Sequence, residues 1–277
     1  MSHIDVSLER ESEWHWIATN CVEYFQARGK PELVAHLATK EAGYDAYGDL
    51  VRQRLGHADK TLPDNDPELA EALFTAGNHA IFRQNYAEAE TLLQRALDSN
   101  IKAHGEESEA VVANLNRLCV VARELKKVDE AESAIQRALQ IAKGSFRNSH
   151  VYPRTLETLA LLREQQGRMA EGLALYGEAV TTFEQQHGYP SYETVECLYR
   201  QSGQLIRAEK FADAEKAIRR VTEAMDKIEG VSDFEKSDYI ATLASVLDGL
   251  GRSHDSAEAR KRAEELLERA RKQAEAE

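Results

Sequence analysis

Asn85-Tyr-Ala-Glu-Ala-Glu-Thr-Leu-Leu-Gln-Arg-Ala-Leu97 decides how this chain is read, because the chain keeps restating it. Lys127-Val-Asp-Glu-Ala-Glu-Ser-Ala-Ile-Gln-Arg-Ala-Leu139 lies 42 residues on. Arg168-Met-Ala-Glu-Gly-Leu-Ala-Leu-Tyr-Gly-Glu-Ala-Val180 follows after 41 more, and Lys210-Phe-Ala-Asp-Ala-Glu-Lys-Ala-Ile-Arg-Arg-Val-Thr222 after another 42. A weaker copy runs from Arg252 to Glu264. Within each copy the apolar residues recur at three- and four-residue spacing, which is one face of an α-helix. A fixed period of this length marks a solenoid, in which each unit buries its apolar face only against its neighbours. Function is then sought on an extended surface and not in a closed catalytic pocket.

A second helix precedes each copy. Asp66-Pro67-Glu68 opens the first of these, with Asp as N-cap, Pro in the first turn and Glu near the positive end of the helix dipole. Leu69, Leu73, Ala76, Gly77, Ala80 and Ile81 then form one apolar face, and Gln84-Asn85 turns the chain into the next helix. His104-Gly105 ends that helix, glycine suiting the left-handed residue just past a helix end. The later first helices (A) are expected near 109–124, 150–165, 192–207 and 235–249. The later second helices (B) are expected near 128–143, 169–186, 211–228 and 253–275, with Gly144, Gly188 and Gly230 stopping three of them. Small residues recur at two places: Ala89, Ala131, Gly172, Ala214 and Ser256 early in B, and Gly77, Cys119, Ala160, Ser202 and Ala244 in A. They let paired helices approach near the lower end of the usual range of about 8–10 Å. Leu73, Leu115, Leu156, Leu198 and Ile240 fill the space between.

Composition agrees. Of 277 residues 30% are charged and 42% hydrophobic, only 5 are proline, and no block is rich in Val, Ile and Thr as a strand would be. The net charge of -13 opposes nonspecific nucleic-acid binding. The longest apolar run, Leu118 to Ala122, is far short of the roughly 20 residues of a membrane-spanning helix. The first ten residues show no secretory signal pattern. Cys21, Cys119 and Cys197 lack metal-ligand spacing and read as reduced thiols of a cytoplasmic protein. Phosphate loops, nucleophile elbows, zinc-protease helices and calcium loops are all missing, so no residue supports an enzymatic reading and no cofactor or metal is expected.

The small–large pattern and the Tyr/Phe-x-Glu/Asp-Ala-Glu opening of helix B resemble the tetratricopeptide repeat. Ala70-Glu-Ala-Leu, Arg83-Gln-Asn-Tyr-Ala-Glu-Ala-Glu, Gln94-Arg-Ala-Leu and His104-Gly, at a period of 41–42 residues instead of 34, resemble the kinesin-light-chain type of that repeat. The resemblance covers about residues 66–275. It implies an all-α, right-handed superhelical solenoid of antiparallel helix pairs, at about 66–107, 108–149, 150–190, 191–232 and 233–277, ending in a capping helix. Residues 1–65 follow the repeat poorly and read as a helical N-terminal cap or a degenerate repeat. Helical pieces are expected at Glu11 to Ala27, Pro31 to Thr39 and Tyr44 to Leu55, with Trp14 in a core and Trp16 partly exposed, and residues 57–66 as a linker.

In such arrays the A helices line a concave face, which implies a protein or peptide partner, without nucleic acid and without membrane insertion. The kinesin-light-chain type typically places asparagines there to hold an extended peptide. Asn116 matches and the equivalent positions Phe74, Glu157, Tyr199 and Ala241 depart from that pattern. By register Asn116, Arg117, Arg154, Thr158, Tyr199 and Arg200 form the candidate binding group. Arginine forks suit carboxylates and tyrosine adds a flat anchor, so an extended or helical acidic segment is the expected ligand. The alternative for the arginines is pairing with neighbouring glutamates such as Glu157 or Glu196. Two roles remain open: an adaptor or scaffold, and a bacterial peptide-sensing regulator with the N-terminal helices as its effector part.

Overall fold

The structure is a computed structural model and describes residues 48–276. The expected helices at Glu11 to Ala27 and Pro31 to Thr39, with Trp14, Trp16 and Cys21, lie outside the described residues. Among the described residues the chain forms 11 helices and no strand, a helical repeat solenoid. Helix α1 covers residues 48–61. The remaining helices are α2 (Pro67–Phe82), α3 (Tyr86–His104), α4 (Glu109–Glu124), α5 (Val128–Ser145), α6 (Val151–Gln165), α7 (Met169–His187), α8 (Tyr192–Arg207), α9 (Phe211–Ala224), α10 (Asp233–Gly249) and α11 (Ser253–Ala276). Even-numbered helices from α2 to α10 are the A helices and odd-numbered helices from α3 to α11 the B helices. The chain divides into two compact units, residues 1–141 and 142–277, the division falling in the last turn of α5.

Four of the five A helices start at a side-chain cap, and α6 starts after His150 with no side-chain cap hydrogen bond. The side chain of Asp66 accepts from the Glu68 N–H at 2.8 Å, and Ser108 and Ser191 cap α4 and α8 in the same way. Ser232 and Glu235 form a reciprocal capping box at α10. The A-to-B turns are five versions of one motif. Gln84, Lys126, Gly167, Glu209 and Gly251 all have positive φ, between 56° and 75°. The next residue's N–H reaches back to the carbonyl five residues earlier, as from Asn85 to Ala80 at 2.9 Å and from Lys210 to Leu205 at 2.8 Å. At three of these turns the left-handed residue is not glycine.

The first unit is built on apolar clusters that link successive helices. Ala58, Leu69, Ala72, Leu73 and Ala96 join α1, α2 and α3. Ala80, Ala89, Leu93 and Val121 join α2, α3 and α4. The segment expected as a linker at 57–66 is helical as far as residue 61, because Ala58 is drawn into the first of these clusters. Only 62–66 connects, held by the Ser99 hydroxyl donating to the Asp64 carbonyl at 2.6 Å.

The second unit contains the pairs α6/α7, α8/α9 and α10/α11. Tyr176, Phe183, Leu156, Leu162, Leu198, Ile218, Met225 and Ile240 are fully buried in it. Helix α11 buries Ser256, Ala263 and Leu266 and exposes Arg260, Lys261, Glu264 and Glu265, so the last described helix has a polar back, as solenoid ends require. Gly105 and Gly188 end α3 and α7 with positive φ. Gly144 does not stop its helix, which runs on to Ser145. Helix α9 ends at Ala224, short of the expected 228, because the bonding tightens there and the Lys227 N–H takes the Ala224 carbonyl at 2.8 Å.

The small residues sit at close backbone approaches. The Ser256 hydroxyl donates to the Ala244 carbonyl at 3.0 Å. A Cβ added to Gly172 would lie 2.9 Å from the Ala160 carbonyl oxygen. Ala89, Ala131 and Ala214 have no exposed surface. Ala131→Leu is therefore expected to lower stability by about 1–3 kcal/mol through overpacking. Glu132→Ala, which removes a partly exposed acceptor of the Gln136 amide, should cost about 0.5 kcal/mol or less. Denaturant midpoints compare the two, and equal shifts would contradict the tight contact at Ala131.

Candidate functional site

The candidate residues are carried by A helices. Asn116 and Arg117 lie on α4 in the first unit, where Asn116 is buried and Arg117 half-buried. Arg154, Thr158, Tyr199 and Arg200 lie in the second unit, on α6 and α8. Within that unit the structure brings Arg154 and Arg200 together, around two glutamates.

The arrangement is a closed ring of four charges. Arg154 Nη1 meets Glu157 Oε2 at 3.1 Å and its Nη2 meets Glu196 Oε2 at 2.8 Å. Arg200 Nη1 meets Glu157 Oε2 at 3.3 Å and its Nη2 meets Glu196 Oε1 at 2.6 Å. Each carboxylate is thus shared by both guanidinium groups. The two kinds of charge differ in depth: the glutamate side chains are 4% and 5% exposed, the Arg154 and Arg200 side chains 17% and 30%. The Arg154 guanidinium also lies 5.4 Å from the centre of the buried Phe183 ring, in cation–π range. Beneath the ring of charges, burial pushes the Cys197 thiol pKa well up, and the adjacent Glu157 carboxylate pushes it further. This cysteine is an inert core residue.

Tyr199 faces the next A helix. Its hydroxyl donates to the Asp238 carboxylate of α10, approaches the Thr242 hydroxyl at 3.5 Å, and its ring packs on Tyr239 with centroids 4.9 Å apart. The Thr158 hydroxyl donates to the Arg154 carbonyl of its own helix at 3.0 Å. Further along the A helices, Arg207 Nε meets Glu164 at 2.6 Å. Arg154, Arg200 and Tyr199, candidate ligand contacts, are thus used first to tie one A helix to the next. Glu157 and Glu196 at the centre of this network are the partners named by the alternative reading of the arginines, and that pairing is what the structure shows; Asp238 beside it was not among the candidate residues. The signal for the pairing is an offset of one period: Arg154 with Glu196 differ by 42, and Glu157 with Arg200 by 43.

Asp238 offers a pH test. Burial raises its carboxyl pKa above the usual 3.8, and the hydrogen bond from Tyr199 offsets only part of that. A raised folded-state pKa means that the folded protein holds this proton more tightly than the unfolded chain. Its stabilising contribution is complete below 3.8 and is lost as pH rises through the folded value. Asp238→Asn keeps an acceptor for Tyr199 and carries no charge. It is expected to raise the melting temperature at neutral pH, with the gain shrinking as pH falls toward 3.8. A gain independent of pH would show that Asp238 does not titrate in this way.

Among the described residues no group of His, Cys, Asp and Glu is placed to hold a metal ion, and no helix is long and apolar enough to cross a membrane. Residues 68–144 match the tetratricopeptide repeat family model. Comparison with curated protein sequences returns no match. Among solved structures the chain is similar to BtubC (BKLC) from P. vanneervenii, with a TM-score of 0.65 and 16% identity over 82% of this chain and 89% of that one. It is similar to a Rap protein complexed with competence and sporulation factor, with a TM-score of 0.61 and 15% identity over 88% and 74%. NprR in complex with its cognate peptide NprX gives a TM-score of 0.52 and 14% identity over 97% and 79%. Residues 68–144 are thus similar to tetratricopeptide repeats, and the fold is similar to that of a solved kinesin-light-chain-like protein with tetratricopeptide-like repeats, at a TM-score of 0.52 and 16% identity.

Proposed function

We propose that the chain is a non-enzymatic, cytoplasmic interaction scaffold whose A-helix side takes an acidic segment of a protein partner. Arg154, Arg200, Tyr199 and Thr158 are its contacts on the second unit; Asn116 and Arg117 are candidate contacts on the first unit, taken by itself. In this reading residues 66–277 are five repeats and residues 1–65 a cap or a degenerate repeat.

The observation that carries the proposal is the layering of charge. The carboxylates of Glu157 and Glu196 lie behind, and the guanidinium groups of Arg154 and Arg200 lie toward solvent. An approaching carboxylate meets donors whose direction is already fixed, so less side-chain entropy is lost on binding. The likeness to peptide-bound NprR supports a peptide as the class of ligand, and with it a second reading as a peptide-sensing regulator.

A fluorescein-labelled peptide carrying three consecutive glutamates tests the site by anisotropy. Arg200→Gln is expected to weaken binding tenfold or more, about 1.4 kcal/mol, and raised salt to weaken the wild-type complex. Arg200→Glu is a poorer test, since it would set a third carboxylate against two buried ones. Arg95→Gln is the control: it removes an exposed bridge to Asp59 and should leave binding unchanged. Equal binding by wild type and Arg200→Gln would remove Arg200 from the site.

A further inference from the structure

The ring of charges in the second unit is electrically complete without any partner. Two arginines face two glutamates, each carboxylate bridges both guanidinium groups, and the four distances between partners run from 2.6 to 3.3 Å. Such a ring is more than a way of orienting donors. A carboxylate arriving at Arg154 and Arg200 finds their charge already offset by Glu157 and Glu196, which are fixed close behind them and almost fully removed from water. At short range and in poorly hydrated surroundings those fixed charges are felt strongly by the newcomer. A single carboxylate gains little there. A cluster of carboxylates held in one chain gains at several donors for one loss of translational freedom.

We infer that Glu157 and Glu196 are built-in counter-ligands of the arginine pair, holding down its affinity so that this face takes clustered acidic residues and rejects isolated ones. The inference rests on the acidic-segment reading above and adds a selectivity rule to it. It makes an unusual demand: removing an acidic residue that touches both arginines must improve binding, whereas loss of a residue that merely positions them would impair it.

The test uses the full chain and two fluorescein-labelled peptides of equal length, one with three consecutive glutamates and one with a single glutamate. Glu196→Gln and Glu157→Gln keep the shape and the acceptor oxygen of each side chain, and helical content with a thermal melt confirms that each variant is folded. Wild type is expected to bind the three-glutamate peptide and to bind the single-glutamate peptide at least tenfold more weakly. Each variant is expected to bind the single-glutamate peptide about tenfold more tightly than wild type, about 1.4 kcal/mol, with the gain shrinking at raised salt. If wild type binds the three-glutamate peptide and both folded variants bind the single-glutamate peptide no tighter than wild type, the glutamates position the arginines and do not compete, and the inference is overturned while the acidic-segment reading stands. If neither wild type nor either variant binds either peptide, the acidic-segment reading itself falls and takes the inference with it.

Discussion

Arg154→Ala should cost the second unit about 3–5 kcal/mol, the range found when one partner of a buried ion pair is removed and the other is left uncompensated. The carboxylates it abandons have little access to water, the Glu157 and Glu196 side chains being 4% and 5% exposed. After the substitution two buried negative charges would share the single guanidinium of Arg200. The loss would also remove the guanidinium packed against Phe183. A second variant separates the cost of an orphaned charge from the worth of the ring itself. Replacing all four members with apolar residues of similar volume (Arg154→Met, Glu157→Leu, Glu196→Leu, Arg200→Met) should leave stability near wild type, because no charge is then stranded. Guanidinium chloride unfolding measures both. A loss under about 1 kcal/mol for Arg154→Ala, typical of exposed pairs, would mean that water reaches these carboxylates.

The helices were legible in the sequence because apolar residues recur at helical spacing in every repeat. Asp66 was read as a cap, and the structure adds caps at Ser108, Ser191 and Ser232 and none at α6. The ends were less legible. Gln84, Lys126 and Glu209 occupy left-handed turn positions where glycine is the usual signal, so the turn motif shows only when the five repeats are aligned. Gly144 carries the signal without the turn, inside α5.

The candidate site was legible as a set of positions and not as a set of contacts. Register placed Arg154, Tyr199 and Arg200 on A helices. It left ligand contact and pairing with Glu157 or Glu196 as alternatives for the arginines, because a repeat pattern fixes where a side chain sits along its helix and not how far it reaches across to the next. Arginine and glutamate are long enough to span neighbouring A helices, so residues one period apart in sequence become partners in space. The same reach explains why Tyr199 turns away from Arg200, its neighbour in sequence, and bonds Asp238 on α10.

Two glycines of the second unit should respond to larger side chains with opposite signs, and Gly172→Leu should be the most damaging single change at any of its small positions. Gly172 is buried in the second turn of α7, and even a bare Cβ there would stand 2.9 Å from the Ala160 carbonyl oxygen of α6. That neighbour is helix backbone, so relief requires the two helices to move apart along a contact that Leu156 and Tyr176 also fill. Overpacking typically costs about 1–3 kcal/mol where side chains can yield, and more where they cannot, so a loss of about 3 kcal/mol or more is expected. Ala89, Ala131 and Ala214 at the equivalent places show that other helix pairs accept one methyl group. The α6/α7 approach is the tight one, and Gly172→Ala should already lose more in strain than the roughly 1 kcal/mol that alanine gains in a helix. Gly203 is helical as well, on α8, but an added Cβ meets nothing within 4 Å. Gly203→Ala therefore keeps the helix gain without strain and should stabilise by about 0.5–1 kcal/mol. Denaturant midpoints of the three variants decide the matter. If Gly172→Ala and Gly203→Ala shift in the same direction by similar amounts, intrinsic helix preference governs both sites and the close approach of α6 and α7 has no energetic weight.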